Sequence, residues 1–454
     1  MSWHAKRTRG GKRIASDLRL PSDGSIVASV PPSVGAKNRE NSDMTNSYLS
    51  GGPGRDVAMS VDGADAILSR FQIPLFFESV DLARAVGRIL IGDVVADRPV
   101  PAFDRICMDG YAFPWESFQA GRREFQVRGV ARAGHPREAL ADPQGCLEAM
   151  TGAVLPNGCD TVIQVERTER IDDGRVRFLV DQLAKGANVH ETGRDRRTGD
   201  DVIETPALVG PGEIAALASL GFVRPKVLRL PKIVLVSCGD ELVEPGRVPL
   251  SHQVRQSNVW GIAASLELAG FGRPEIHHIP DEEAKLQQKL SSFVREFDAV
   301  VLSGGVSMGK WDLLPAVLEG LGVEKLLHGV AQQPGMPLWM GMSPNGGLVA
   351  GLPGNPLSSL TCFARHVRPI LERSAGLPRR AFQVLLAEVV KSAPKKTRFV
   401  PVKLERQGIA QVAIPVPVAG SGDWAGVVGT EGFVEIHPST ESVPAGAVVD
   451  FHPW

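Results

Sequence analysis

The stretch that most restricts the fold runs from Phe297 to Asp312, FDAVVLSGGVSMGKWD. Ala299 to Leu302 is a short apolar run that reads as a buried strand, Ser303-Gly304-Gly305 turns the chain, and Asp312 to Glu319 continues in helical spacing. Strand, Gly-rich turn and helix start together make an anion cradle, because bare backbone N–H groups and the helix dipole face whatever sits there. Alone, such a turn is more often only a turn. Two further loops of the same kind add weight: IVLVSCGDEL (Ile233 to Leu242), a β-branched run ending in Gly239-Asp240-Glu241, and LVAGLPGNP (Leu348 to Pro356), followed by the helix-like SSLTCFARHV. Three strands with polar or Gly-rich loops at their carboxyl ends, separated by helical segments, describe an open α/β sheet. Ligands bind such sheets outside the strand ends, where strand order reverses.

The pattern therefore points to a phosphate-bearing ligand held by backbone amides, with acidic side chains beside it. Carboxylates next to phosphates usually signal bound magnesium, since hard oxygen ligands suit that ion. Asp240, Glu241 and Asp312 are the candidates, and N-capping or solvated first-turn charge is the plainer account of each.

The net charge of −1 gives no electrostatic reason to expect nucleic acid or a membrane surface, and no apolar run is long enough to span a bilayer. The five cysteines, Cys107, Cys146, Cys159, Cys238 and Cys362, are scattered without a CxxC pair. That argues against a disulfide framework and a zinc site and suits a reducing, cytoplasmic setting.

Along the chain, residues 1–55 are rich in Ser, Gly, Pro and Asn and read as a disordered tail, the basic run Lys6 to Arg13 included. Residues 56–97 and 198–229 read as helical linking elements. DAILSRFQIPL and VDLARAVGRILIGDVV are read as helix, turn and second helix, and PGEIAALASLGF as a well-signalled helix. Between them, residues 98–197 alternate short strands (GYAF, EFQVRGVA, TVIQVE, RVRFLV) with turns, as in a small inserted β domain. Residues 230–376 form the α/β domain. Residues 377–454 are strand-rich and read as a C-terminal β domain. The expected fold class is α/β plus β, in a multidomain elongated chain.

SCGDEL, SGGVSMGKWD, PGMP and GLPGNP occur in this order and resemble the molybdopterin molybdenumtransferase family, which includes the gephyrin E domain. Upstream, PAFDRICMDGYAF and MTGAVLPNGCDTVI resemble that family's MDGYA and MTGAPLPEGADAVV segments, so the resemblance covers roughly Asp56 to the C-terminus. It implies magnesium-dependent insertion of molybdate into adenylylated molybdopterin with release of AMP, by a homodimer whose cleft is built from both subunits. A molybdopterin adenylyltransferase or a molybdoenzyme are the partners it suggests. Transferred by position, the resemblance assigns Asp109, Thr151, Glu241, Asp281 and Asp312 to catalysis, and Asp240, Glu241 and Asp312 to the metal. It gives molybdopterin binding to Ser303, Gly304, Gly305, Ser307 and Gly309, to Pro334 and Gly335 of PGMP, to Pro353, Gly354 and Asn355, and to Ser421 of SGDW. Asn258 and Asp195 match further family positions. Asp109-Gly110 also fits a simple turn, and Asp281 a helix N-cap.

The departures cluster at the anion. Where the family has lysines in HKVAIKPGKP, this chain reads HGVAQQPGMP, placing Gly329, Gln333 and Met336 at those positions; Pro401 stands for an arginine, Ile106 for a serine and Cys238 for a threonine. Molybdate is a dianion, and neutral side chains do not replace its cations. A binding protein that carries molybdopterin or the mature cofactor without inserting metal is the alternative, and Lys310, Lys325, Lys395, Lys396 and Arg398 are the cations that could compensate.

Overall fold

The computed structural model describes residues 58–172, 174–306 and 313–454. The expected tail over 1–55, and Ser307, Gly309, Lys310 and Asp312 of the SGGVSMGKWD loop, lie outside the described residues. The chain divides into two compact units. One comprises residues up to Glu78, Gly87–Ile89 and Val227–Trp454; the other comprises Ser79–Val86 and Leu90–Lys226.

The first unit is built on a six-stranded sheet: β1 (Ile233–Cys238), β2 (Glu275–Ile279), β3 (Ala299–Ser303), β4 (Glu324–His328), β5 (Trp339–Met342) and β6 (Leu348–Leu352). Their spatial order is β2-β1-β3-β6-β5-β4. The first four run parallel, and β5 is antiparallel to both β6 and β4. Every residue of β1, β3 and β6 is buried, which explains why these strands read as continuous apolar runs rather than alternations. Successive side chains still take opposite faces. Leu235, Val301 and Ala350 pack with Val259, Ile262 and Leu266 of the helix Asn258–Leu268; Val234, Val300 and Val349 pack with Leu286, Leu290 and Phe293 of the helix Glu283–Glu296. The result is a helix–sheet–helix sandwich.

Strands Phe382–Leu386, Thr397–Gln407, Ala410–Pro415, Gly432–Ile436 and Val448–Pro453 close into a barrel, because Thr397–Gln407 pairs with both Ala410–Pro415 and Gly432–Ile436. Val402, Ala413, Val434 and Phe451 fill its interior. Closure leaves these five strands without a free edge. Gln332–Gln333 adds alongside Thr397–Arg398.

A wide helical turn ties these parts together. The helix that starts at Pro356 continues through the π-helical turn Phe363–Val367 into Arg368–Ser374. That turn holds Arg365 and His366 inside the protein. Arg365 donates to both Asp65 oxygens (2.9 and 2.7 Å) on the helix Val61–Leu68 and to Glu435 Oε2 (2.7 Å) in the barrel. His452 lies 3.1 Å from the same Glu435 oxygen. Burial by itself pushes the Glu435 carboxyl up; the His452 hydrogen bond and the Arg365 charge outweigh it and hold the group well below the usual carboxylate range. Burial holds both His366 and His452 below the ordinary histidine value, so the His452–Glu435 contact is a neutral imidazole N–H donating to a carboxylate.

These shifts set the acid side of stability. Below the unfolded histidine value of about 6.5 the unfolded chain takes protons that His366 and His452 refuse, and below about 4.3 Glu435 adds its own loss. Stability is therefore expected to fall from pH 7 to pH 5. His366→Gln should flatten that slope in urea titrations; an unchanged slope would refute the assignment to this histidine.

In the second unit a six-stranded sheet runs in the order Thr161–Gln164, Gly110–Phe113, Gly145–Ala149, Glu124–Ala131, Arg175–Phe178, Thr168–Asp172. Phe113, Phe118, Phe125 and Phe178 pack on one face, with ring centroids 4.5 to 6.4 Å apart. The strands Gly145–Ala149 and Thr168–Asp172 were not expected from the sequence.

The expectation of a second helix over Val80 to Val95 is corrected. Leu82–Arg84 forms a single 3₁₀ turn, Ile89–Leu90 and Val94–Val95 are strands, and Val94 and Val95 pair with Ile203 and Asp201. Gly87 and Gly92 take φ of 74° and 91°, which interrupts a helix, and the β-branched residues between find strand partners instead. Likewise, 198–229 contains the expected helix, Pro211–Ser219, but its flanks Asp201–Ile203 and Lys226–Leu228 are strands.

Candidate active site

From β1 the chain crosses to β2 on one side and then to β3 on the other, so strand order reverses between β1 and β3. A cavity of about 1090 Å³ opens at their carboxyl ends, lined by Cys238, Gly239, Glu241, Asn258, Asp281, Ser303, Gly304, Gly305, Pro353, Gly354 and Asn355. This is where an open α/β sheet places its ligand. The two strand ends approach so closely that a Cβ on Gly304, which has φ of 96°, would overlap the Cys238 carbonyl oxygen. The Gly304 N–H donates to Leu352 O (3.0 Å) on the neighbouring strand.

Asn258 fastens the two Gly-rich loops to one another. Its Nδ2 donates to Ser303 Oγ (2.9 Å) and to Gly354 O (2.8 Å), while Ser303 Oγ also meets Ser359 Oγ at 3.1 Å. Asn355 Nδ2 donates to Ser421 Oγ (2.9 Å), and Ser421 O accepts from Leu357 N–H (3.2 Å), which draws the barrel loop 419–428 to the cavity.

None of the described acidic candidates, Asp240, Glu241 and Asp281, occupies a helix N-cap. Asp240 and Glu241 are followed by the strand Leu242–Val243, and Glu282, not Asp281, occupies the N-cap of the helix Glu283–Glu296. The Asp281 N–H donates to Asp240 Oδ1 (3.1 Å), and a ring nitrogen of His278 lies 2.9 Å from Gly239 O. Burial first, and then the Asp281 and Glu241 charges, push the Cys238 thiol up to about 12, so it stays protonated at neutral pH. Among the described residues no cluster of three or more His, Cys, Asp or Glu is set to hold a metal. Hard carboxylates of this kind suit magnesium, which takes one or two of them and completes its shell with water and substrate oxygens.

Pro334 and Gly335 form the turn before Pro337, which lines the cavity. Gly335 O accepts from Gln332 Nε2 (3.0 Å) and from Cys362 Sγ (3.3 Å), and Gln332 Oε1 lies 2.7 Å from His366 Nε2. The positions at which the resemblance leads one to expect cations are distinct in structure. Gly329 is buried with φ of 85°, Gln333 is exposed beside Arg398, and Pro401 is buried in a barrel strand. Among the described residues that line the cavity, Arg255 is the one cation. Lys325, Lys395, Lys396 and Arg398 do not line it, and Lys325 faces Glu319 at 3.9 Å.

Asp109 and Thr151 belong to the second unit and sit together there. The Thr151 N–H (2.7 Å) and hydroxyl (2.8 Å) both donate to Asp109 Oδ1, and these two bonds, the N–H first, hold the carboxyl below its ordinary value. Nearby in sequence, Asp195 Oδ1 meets His190 Nε2 at 3.0 Å.

Two residues of the site escaped the sequence reading. Ser359, fully buried behind the cavity and bonded to Ser303, lies inside the helix-like run after GLPGNP and carries no local signal. Trp424 closes the SGDW segment and lines the cavity, and only its 62% exposure there distinguishes it from a core tryptophan.

Comparison with known proteins agrees with this fold. Residues 59–221 match the family described as MoeA N-terminal region (domain I and II), 234–373 the probable molybdopterin binding domain, and 383–454 the MoeA C-terminal region (domain IV). A molybdopterin molybdenumtransferase of Synechocystis is 36% identical over 379 residues, covering 83% of this chain and 95% of that protein. One from Haemophilus influenzae is 31% identical over 395 residues, covering 86% and 96%. The crystal structure of a molybdopterin biosynthesis MoeA protein from Pyrococcus horikoshii superposes with a TM-score of 0.73 at 30% identity, over 87% of this chain and 99% of that one. With this likeness running through all three matched regions, the chain belongs to the molybdopterin molybdenumtransferase family.

Proposed function

We propose that this protein performs the metal-insertion step of molybdenum cofactor biosynthesis, in which molybdate reacts with adenylylated molybdopterin and AMP leaves. The observation that carries the reading is the cavity at the β1/β3 reversal, with Gly-rich loops on one wall and Glu241 and Asp281 on another. The backbone N–H groups of Gly305 and of Gly354–Asn355, beyond the strand ends, suit phosphate oxygens, which need donors fixed in place before the ligand arrives. Asn258, by tying both loops, keeps that set of donors in register. Asp240 and Glu241 would hold magnesium, with Asp281 beside them, and the ion when bound would neutralise charge on the phosphate oxygens. Cys238, protonated and packed under Gly305, keeps the strand end apolar rather than adding a thiolate to the carboxylates. Asp109 and Thr151, in a homodimeric cytoplasmic enzyme, belong to the same reading through their family motifs.

A second reading, a carrier of molybdopterin or mature cofactor, is favoured by the neutral residues at Gly329, Gln333 and Met336 and by the single described cation at the cavity. The deciding experiment follows AMP release from adenylylated molybdopterin with magnesium, with and without molybdate. Molybdate-dependent release is expected, and Asp281→Asn should slow it by about 100-fold, in the range found when a group that stabilises developing charge is lost. Tight binding without release would establish the carrier and refute the transferase.

A further inference from the structure

The phosphate loops account for one wall of the cavity; the barrel loop supplies another. Trp424 lines the cavity with 62% of its surface exposed, more than any other phenylalanine, tyrosine or tryptophan among the described residues. Among those residues its ring makes no aromatic or cation contact. An indole left bare at a cavity is costly in water unless something planar covers it.

Its loop is not slack. Asp423 accepts from the N–H groups of Ala419 (2.9 Å) and Gly426 (3.0 Å), and Trp424 N–H donates to Gly422 O (3.0 Å). Three residues earlier, Ser421 is bonded to Asn355 of the phosphate loop. Three residues of chain span at most about 11 Å. The indole and the amide cradle are therefore within reach of one ligand bearing both a phosphate and a ring.

We infer that Trp424 is the stacking platform for the planar heteroaromatic ring of the ligand, a pterin or a purine, whose phosphate sits in the Ser303–Gly305 and Gly354–Asn355 loops. The inference rests on the reading of this cavity as a molybdopterin-nucleotide site and adds where the ring lies. Ring faces stack on an indole whatever their edge pattern, so the same residue serves either source.

The test is calorimetric titration of the full chain and of W424A and W424F with three probes: 6-hydroxymethylpterin monophosphate, AMP and glycerol phosphate. W424A is expected to bind one ring-bearing probe at least about 10-fold more weakly, in line with loss of one stacked base. W424F should stay within about threefold of wild type, since a phenyl face still stacks. Glycerol phosphate, which has no ring, should bind all three proteins alike. The probe that weakens tells whether the stacked ring is pterin or adenine. Unchanged affinity of W424A for both ring probes overturns the inference alone, as does equal weakening for glycerol phosphate, which would mean the loop had collapsed. Wild-type protein that binds neither ring probe overturns both the inference and the reading on which it rests.

Discussion

Gly304→Ala is expected to lower molybdate-dependent AMP release by at least about 100-fold, the scale of losing preorganised donors from a reacting centre. Two effects coincide at this position. Gly304 holds φ of 96°, which an L-residue adopts at a cost of about 1–3 kcal/mol. The added methyl group also overlaps the Cys238 carbonyl oxygen, which is backbone and cannot rotate away. The ends of β1 and β3 must then separate, and the Gly305 amide at the cavity moves with them. Gly212→Ala is the control, since a Cβ there meets nothing within 4 Å. That variant should keep full activity and stay within about 0.5 kcal/mol of wild type. Wild-type activity in Gly304→Ala would show that the close approach of the two strand ends does not shape the site.

The largest loss of stability is expected from Arg365→Met. Arg365 is 8% exposed and joins Glu435, 4% exposed, to Asp65 on a helix some 300 residues earlier in the chain. Removing the guanidinium leaves a buried carboxylate without its cation, which typically costs about 3–5 kcal/mol. Pairing Arg365→Met with Glu435→Gln removes the stranded charge, so the double variant should be more stable than Arg365→Met alone. Urea denaturation of the three proteins checks this. A double variant less stable than the single one would mean that Glu435 contributes through packing rather than through charge.

Acid sensitivity belongs to the same network. His366 and His452 stay neutral because burial removes the water their charged forms need, so the protein forgoes histidine charge that the unfolded chain would take up. The two glutamine variants, at His366 and Glu435, therefore report on different pH ranges of one cluster.

How much of this was legible in the chain differs element by element. β1, β3 and β6 were readable because strands buried on both faces leave long apolar runs, and their loops because glycine, proline and acidic residues stand out after such runs. The ordered motifs that follow carried the family. The second helix over Val80 to Val95 was misread because apolar spacing in a short segment fits helix and strand alike, and the partner Asp201–Ile203 lies far along the chain. Asp240, Glu241 and Asp281 could be named from the sequence, yet whether each capped a helix or faced a cavity depended on what followed in space.

By itself, then, the sequence determined the α/β sheet, its Gly-rich loops and the family, since local propensity, hydrophobic period and motif order are properties of neighbouring residues. Only tertiary structure decided that Asn258 ties Ser303 to Gly354, that Arg365 joins Asp65 to Glu435, and that Trp424 reaches the cavity from the barrel. These contacts join residues some 45 to 300 positions apart. Their energy comes from closing the chain on itself, and no local pattern records which distant residue completes each one.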